Sequence, residues 1–289
     1  MKVLVLGASG FVGRHVLPAL LAQRHHVVAL SRTPSVKHER VTWLERDALE
    51  SDSVEKALEG CQAAVNLIGI NHERGGQTYA RMHVEVTRRL VEEAQRRSIE
   101  RIIQVSVLCA RPDPTSPYHD TKHQADELVR RAKVPWVILR PAIIFGPDDA
   151  FTTTLSRQVD GRVTPLPAGG KAIHAPVHVD DVAEAVTHAL VLPSAIGKIL
   201  PLCGARTLSY RELVREIAKA RGKRTVSPPM PGWLLKMAAW TTSPMQHPPL
   251  TSSQLTMLLD GMAEDTKESW DLLGIEPRAF EAMSPIEST

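Results

Sequence analysis

The string Gly7-Ala8-Ser9-Gly10-Phe11-Val12-Gly13 constrains this chain more than any other feature. It lies between an apolar run, residues 3–6, and a helix-forming segment, residues 14–21. A strand, a glycine turn and a helix start, in that order, suit a dinucleotide pyrophosphate. Glycines let the backbone turn sharply and approach phosphate oxygens, while the helix N-terminus offers unpaired N–H groups and the positive end of its dipole. The spacing is G-x-x-G-x-x-G rather than G-x-G-x-x-G, so the strand-to-helix setting carries the assignment. Gly7, Ser9, Gly10, Phe11, Val12 and Gly13 are the expected contacts. The competing reading is a tight turn that binds nothing.

The first half repeats this rhythm. Apolar segments at residues 2–6, 26–30, 41–44, 63–68, 101–105 and 136–139 read as strands, and residues 53–58, 79–97 and 117–132 read as helices. Such alternation implies a doubly wound α/β fold with a parallel sheet. From Phe151 onward proline and glycine become frequent and the rhythm is lost. A short strand at 177–179, a helix at 180–192, a strand at 199–203 and a helix at 209–220 follow. The prolines of 227–231 mark a break, 233–240 and 254–261 read as short apolar helices, and the tail after Pro277 reads as loosely ordered. The expected organisation is a dinucleotide-binding domain over 1–150, to which 175–200 returns, and a smaller mixed substrate or partner domain over 151–289. The expected substrate cleft lies between them.

The second chemical signal is Tyr118-His119-Asp120-Thr121-Lys122. Four residues apart on a helix, Tyr118 and Lys122 share a face. A free phenol, with a pKa near ~10, is a poor proton-transfer group at neutral pH, and a neighbouring ammonium is expected to lower it. The pair can then move a proton to or from an alcohol while hydride moves to or from nicotinamide.

With these residues in place, the chain resembles the short-chain dehydrogenase/reductase superfamily in its extended or atypical branch, over roughly residues 1–220. The resemblance rests on Gly7 to Gly13, Asp47-Ala48, Asn66-Leu67-Ile68-Gly69, Tyr118 to Lys122, Leu139-Arg140-Pro141-Ala142-Ile143-Ile144-Phe145-Gly146-Pro147 and Pro176-Val177-His178-Val179-Asp180-Asp181-Val182-Ala183. The last two strings, with Val105-Ser106, look most like the Rossmann-type accessory subunits of respiratory complex I and their bacterial relatives, among other epimerase/dehydratase-like proteins. The resemblance implies a Rossmann fold and a catalytic set of Tyr118, Lys122 and Ser106. It also implies Asp47 and Ala48 at the adenine, Leu67, Ile68 and Gly69 along the adenosine and ribose path, Lys122 on the ribose, and Pro141 and Ile144 beside the nicotinamide. Asp47 reads equally well as a turn or cap residue, and Leu67 and Ile68 as strand-end packing.

Strand two ends in Ser31-Arg32, without the acid that would hold a ribose 2′-OH. Arg32 can pair with a 2′-phosphate, so NADP is the expected cofactor, with NAD as the alternative. One departure bears on catalysis. The family's usual Ser or Thr, two residues beyond Ser106, is Leu108 here, which removes a donor for a substrate oxygen. The leading expectation is an oxidoreductase or epimerase. The rival is a non-catalytic dinucleotide-binding protein that docks on a larger complex or a membrane surface.

Other classes find little support. The net charge of +3 is spread over helix faces, as in Arg88-Arg89, Arg96-Arg97 and Arg130-Arg131, so nucleic acid is not an expected partner. Twelve histidines and three distant cysteines form no metal-ligand spacing, and a reducing, cytoplasmic setting is expected. His174 or His178 could face substrate. No apolar run reaches the ~18 residues of a membrane span. Peripheral association through Trp233–Trp240 is possible, and a monomer or homodimer is expected.

Overall fold

The structure, a computed structural model, describes residues 1–161, 163–231, 256 and 258–282. In chain order the elements begin with β1 (Lys2–Leu6), α1 (Phe11–Ala22), β2 (His26–Leu30), β3 (Val41–Leu44), α2 (Ser53–Ala57) and β4 (Ala63–Asn66). A π-helical turn, Ala80–Glu85, runs into α3 (Val86–Arg97), followed by β5 (Arg101–Val105), α4 (Pro117–Arg130) and β6 (Trp136–Pro141). Next come β7 (Ile144–Phe145), α5 (Ala150–Asp160), β8 (Leu166–Pro167), β9 (Ile173–His174), β10 (Val177–His178) and α6 (Val179–Val191). The last are β11 (Lys198–Leu202), β12 (Leu208–Ser209), α7 (Tyr210–Ala220), β13 (Pro229–Met230) and α8 (Lys267–Leu273). The chain divides into two compact units. One comprises Met1–Pro141, Val179–Leu202 and Thr266–Glu276, and the other the described residues of Ala142–His178, Cys203–Asp265 and Pro277–Thr289.

The first unit is built on a seven-stranded sheet in the order β3-β2-β1-β4-β5-β6-β11, with every pair parallel. Its strands are apolar on both faces, which is why they read as runs rather than alternations. Leu4, Leu6, Val28, Leu30, Ala64, Ile102 and Ile138 pack with residues of α2, α3 and α4 in one core. Val3, Val5, Val27, Ala29 and Val65 alternate with them and are equally buried. They point to the opposite face, where α1 and α6 pack together and His15 Nδ1 meets Asp180 Oδ1 at 2.7 Å. Leu6 stands beside Leu30 on one side and Asn66 on the other. The carboxyl ends of β2, β1 and β4 are therefore level, and strand order reverses between β1 and β4. Open α/β sheets bind ligands at such a switch point.

Among its described residues the second unit has two-residue strands, paired β7 with β10, β9 with β12 and β8 with β13. Its core joins Phe145, Leu155, Val159, Leu166, Leu213 and Ile217. Ser209 and Glu212 form a reciprocal cap at the start of α7.

Several expected boundaries shift for local reasons. The fourth strand stops at Asn66 because its own side chain accepts the Ile68 N–H at 3.1 Å, and the chain turns there. The long helix expected from residue 79 opens with the π-helical turn. α5 and α8 were not expected. Asp149 caps α5 by accepting the Thr152 N–H at 2.7 Å, and α8 ends on Gly274 at φ +68°. The proline-rich break contributes β13. The tail after Pro277 is not loose as far as it is described, since Phe280 is buried and packs edge-on against Phe145, with centroids 4.8 Å apart. Trp233–Trp240 lies outside the described residues; of the helix expected at 254–261, residues 254, 255 and 257 lie outside them too, while 256 and 258–260 are helical. Among the described residues no helix is long and apolar enough to cross a membrane.

Candidate functional site

The glycine turn closes tightly. Gly7 has φ +78°, which side-chain-bearing residues adopt at a cost, and its carbonyl accepts the Gly10 N–H at 3.0 Å. A Cβ on Gly13 would lie 2.4 Å from the carbonyl oxygens of Gly7 and Ala8, so the first turn of α1 rests directly on the loop. A Cβ on Gly7 would lie 3.2 Å from Leu67 and Ile68 backbone atoms, so the loop also abuts the end of β4. Gly10 is the N-cap of α1, and no side chain caps that end. A bare helix N-terminus behind a backbone that admits no side chain is the cradle a pyrophosphate fits. Gly10 and Gly69 are exposed, while Ser9, Phe11, Val12, Leu67 and Ile68 are half-buried along this rim.

Lys122 points to the same end of the sheet. It is buried, and its Nζ donates to the carbonyls of Ile68 at 3.3 Å, two residues beyond β4, and of Val105 at 3.4 Å, the last residue of β5. Gly69 is beside it, where a Cβ would come 3.1 Å from Nζ. Burial pulls the ammonium down to about 8, against the pull of the Asp126 carboxylate.

Tyr118 is enclosed by rings. Tyr79, His83 and His119 meet it edge-on at centroid distances of 5.7, 5.6 and 5.5 Å. Burial pushes its phenol upward, not downward as the lysine spacing alone suggests. The π-helical turn brings Tyr79 and His83 onto this ring. His83 Nε2 accepts the Ile70 N–H at 3.2 Å, and Nδ1 lies 3.0 Å from Thr121 Oγ1. The Thr121 proton goes to the Pro117 carbonyl at 2.6 Å, so Nδ1 carries the ring's single proton and donates it to Thr121. Burial, with the Lys122 charge, lowers His83 to about 2 and keeps it neutral.

Ser106 is buried, and its hydroxyl has no hydrogen-bond partner among the described residues. Leu108 is half-buried, and its N–H donates to the Pro141 carbonyl at 2.9 Å, at the end of β6. Asp47 accepts the Leu49 N–H at 2.9 Å as a turn residue, and Ala48 is buried in the core beneath it. Arg32 is exposed just after β2, with the Gln77 amide oxygen 2.7 Å from one guanidinium nitrogen. Ser31 meets Ser9 at 2.5 Å between hydroxyls. Ile144 belongs to the second unit, where it pairs with Val177. His174, also there, is buried and held near 4 by desolvation, and His178 packs on Phe145 with centroids 5.1 Å apart. Among the described residues no group of three or more His, Cys, Asp or Glu is placed to hold a metal.

Sequence reasoning passed over Asp126, Arg140, Tyr79 and His83. Two signals were available. Asp126 continues the four-residue ladder of Tyr118 and Lys122, and Arg140 is a charge at the end of the apolar run Val137-Ile138-Leu139.

A family described as NAD(P)H-binding matches residues 7–193, well over half of the chain. The chain belongs to this NAD(P)H-binding family. Among curated proteins, it is 27% identical over 300 residues to the mouse (Mus musculus) mitochondrial NADH dehydrogenase [ubiquinone] 1 alpha subcomplex subunit 9, covering 97% of this chain and 78% of that one. It is 25% identical over 264 residues to YtcB of Bacillus subtilis, named as an uncharacterized UDP-glucose epimerase, covering 78% and 83%. Among solved structures, the UDP-glucuronic acid 4-epimerase of Bacillus cereus in complex with NAD superposes with a TM-score of 0.75 at 20% identity, over 98% of this chain and 94% of that one. The Rossmann-type α/β fold is thus shared with epimerases of the short-chain dehydrogenase/reductase type, and the chain is related both to them and to a complex I subunit.

Proposed function

We propose that the chain is an NAD(P)(H)-dependent oxidoreductase or epimerase-type enzyme, with Tyr118 as the proton-transfer group and Lys122 as the residue that holds the nicotinamide ribose. One observation carries the reading: the buried Lys122 ammonium sits on the Ile68 and Val105 carbonyls, at the strand ends that the glycine turn also abuts. When bound, NAD(P)H supplies the hydride. Gly7 to Gly13 receive the pyrophosphate, and Leu67, Ile68 and Gly69 flank the ribose path. Tyr118 stands protonated through the neutral range, the state required to give a proton to a carbonyl oxygen that takes up hydride. Ser106 is buried, and in this reading it does not replace the hydroxyl missing at Leu108.

Arg32, with no acid at the end of β2, favours NADP(H) over NAD(H), although the Bacillus cereus epimerase was solved with NAD. Parallel titrations with NADPH and NADH test this, and equal or tighter NADH binding overturns it. Three widely spaced cysteines fit a reducing, cytoplasmic compartment, whereas the mouse relative is mitochondrial.

A second reading is favoured by the enclosure of Tyr118 and by Leu108. In it the dinucleotide is held as a structural or sensing ligand and the protein docks on a larger complex. The two part on one variant. In the enzyme, Tyr118→Phe keeps dinucleotide affinity and loses turnover by about 10²–10⁴-fold, measured as NADPH oxidation against a panel of ketones that includes UDP-keto-sugars. If the unaltered protein turns over none of them while binding NADPH tightly, the second reading stands.

A further inference from the structure

Tyr118, Lys122 and Asp126 occupy one face of α4 at successive turns, and all three are buried. The reading above uses the first two. Asp126 is wholly inaccessible, a place where a carboxylate persists only with partners. Its Oδ2 accepts from Arg140 Nε at 2.9 Å and lies 2.8 Å from Nη2, while Oδ1 has no hydrogen-bond partner among the described residues. Arg140 follows Val137, Ile138 and Leu139 in β6, each fully buried. A salt bridge so placed gains little stability over apolar packing of similar volume.

We propose that Asp126 is a positioning residue for Lys122: clamped by Arg140 one helical turn away, its carboxylate keeps the lysine charged at the strand ends where the dinucleotide binds. The proposal rests on the reading of Lys122 as the ribose-holding group. The surroundings of Lys122 leave this task to Asp126. On its own helix Tyr118 remains a neutral phenol. From the π-helical turn His83 faces it as a neutral imidazole. From β6 the Arg140 charge is matched by Asp126. Burial alone drives Lys122 toward the neutral amine, and the Asp126 charge acts against that.

Asp126→Asn removes the anion and leaves the Arg140 cation unmatched. Both changes disfavour the ammonium, so the Lys122 titration falls by about one unit or more. The direct measurement is the ¹³Cε NMR titration of the lysines in the dinucleotide-free protein, with Lys122→Met assigning the signal. A titration near 8 is expected in the unaltered chain, a downward shift in Asp126→Asn, and recovery in Asp126→Glu. NADPH and NADH affinity measured from pH 6 to 9 is expected to fall as Lys122 deprotonates, with the fall displaced to lower pH in Asp126→Asn. Should that variant fail to fold, Arg140→Gln frees the carboxylate for Lys122 and shifts the titration upward. A Lys122 signal unmoved in the folded variants overturns the proposal. If Lys122→Met leaves dinucleotide affinity and its pH profile unchanged, the ribose-holding reading fails instead, whatever Asp126 does to the lysine.

Discussion

At the scale of single residues, the site is a contest between burial and charge. Lys122 and Tyr118 are both removed from water, and both move toward their neutral forms. A phenol made harder to ionise stays in the protonated form that can donate, but it is a weaker acid than the free side chain, so burial weighs against fast proton transfer by Tyr118. Arg32 is the contrasting case. It is exposed, with the Gln77 amide beside its guanidinium, so a 2′-phosphate can reach it at small cost. Arg32→Ala is expected to weaken NADPH by about 10–100-fold, the worth of a charge-assisted hydrogen bond of ~1.5–3 kcal/mol, and to leave NADH nearly unchanged. Fluorescence titration with the two dinucleotides checks this, and an equal loss for both would remove Arg32 from the specificity argument. The paired surface arginines behave as solvated helix faces do: Arg88 with Glu85 and Glu92, Arg96 with Glu93, Arg130 with Glu127.

At the scale of elements, the three glycines of the first turn are separable by what surrounds them. A methyl at Gly13 would press into two carbonyl oxygens at 2.4 Å, whereas one at Gly10 would stand 3.2 Å from the Gly7 oxygen on an exposed rim. Gly13→Ala is therefore expected to cost stability, about 1–3 kcal/mol in urea unfolding. Gly10→Ala should leave unfolding nearly unchanged and weaken dinucleotide binding. Four of the first five strands were legible to the residue, because a strand buried on both faces is an apolar run bounded by turn residues. The Tyr118–Lys122 face was legible for a similar reason, since helical spacing alone defines it. α5 was not: Thr152-Thr153-Thr154 is a β-branched stretch of weak helix propensity. It is held by the Asp149 cap and by the burial of Leu155 and Val159. The π-helical turn has no sequence period of its own, and the two-residue strands of the second unit are too short to show one. The Asp126–Arg140 pair joins residues fourteen apart on different elements, a match that only the folded chain makes visible.

At the scale of the whole molecule, each compact unit buries a histidine that is held neutral, His83 in the first and His174 in the second. Burial lowers them to about 2 and about 4 from an ordinary value of 6.5. The unfolded chain binds these protons more readily than the folded one. Stability is thus fully present above pH 6.5 and declines as pH falls toward the folded values, by about 1.4 kcal/mol per pH unit for each histidine. Thermal melts between pH 7 and 5 should show this decline, and His83→Gln, if folded, should shallow it. A flat melting profile over that range would contradict the burial of both rings. The path of the chain has a further consequence for its birth on the ribosome. The first unit takes β11 and α8 from far downstream, after the chain has already entered the second unit. A nascent chain ending near residue 150 would carry an open β6 edge, lacking both its outermost strand and the α6 partner of α1. The nucleotide-binding sheet is then completed late in synthesis, and until β11 emerges its exposed edge is the point at which chaperones or a second chain would engage it.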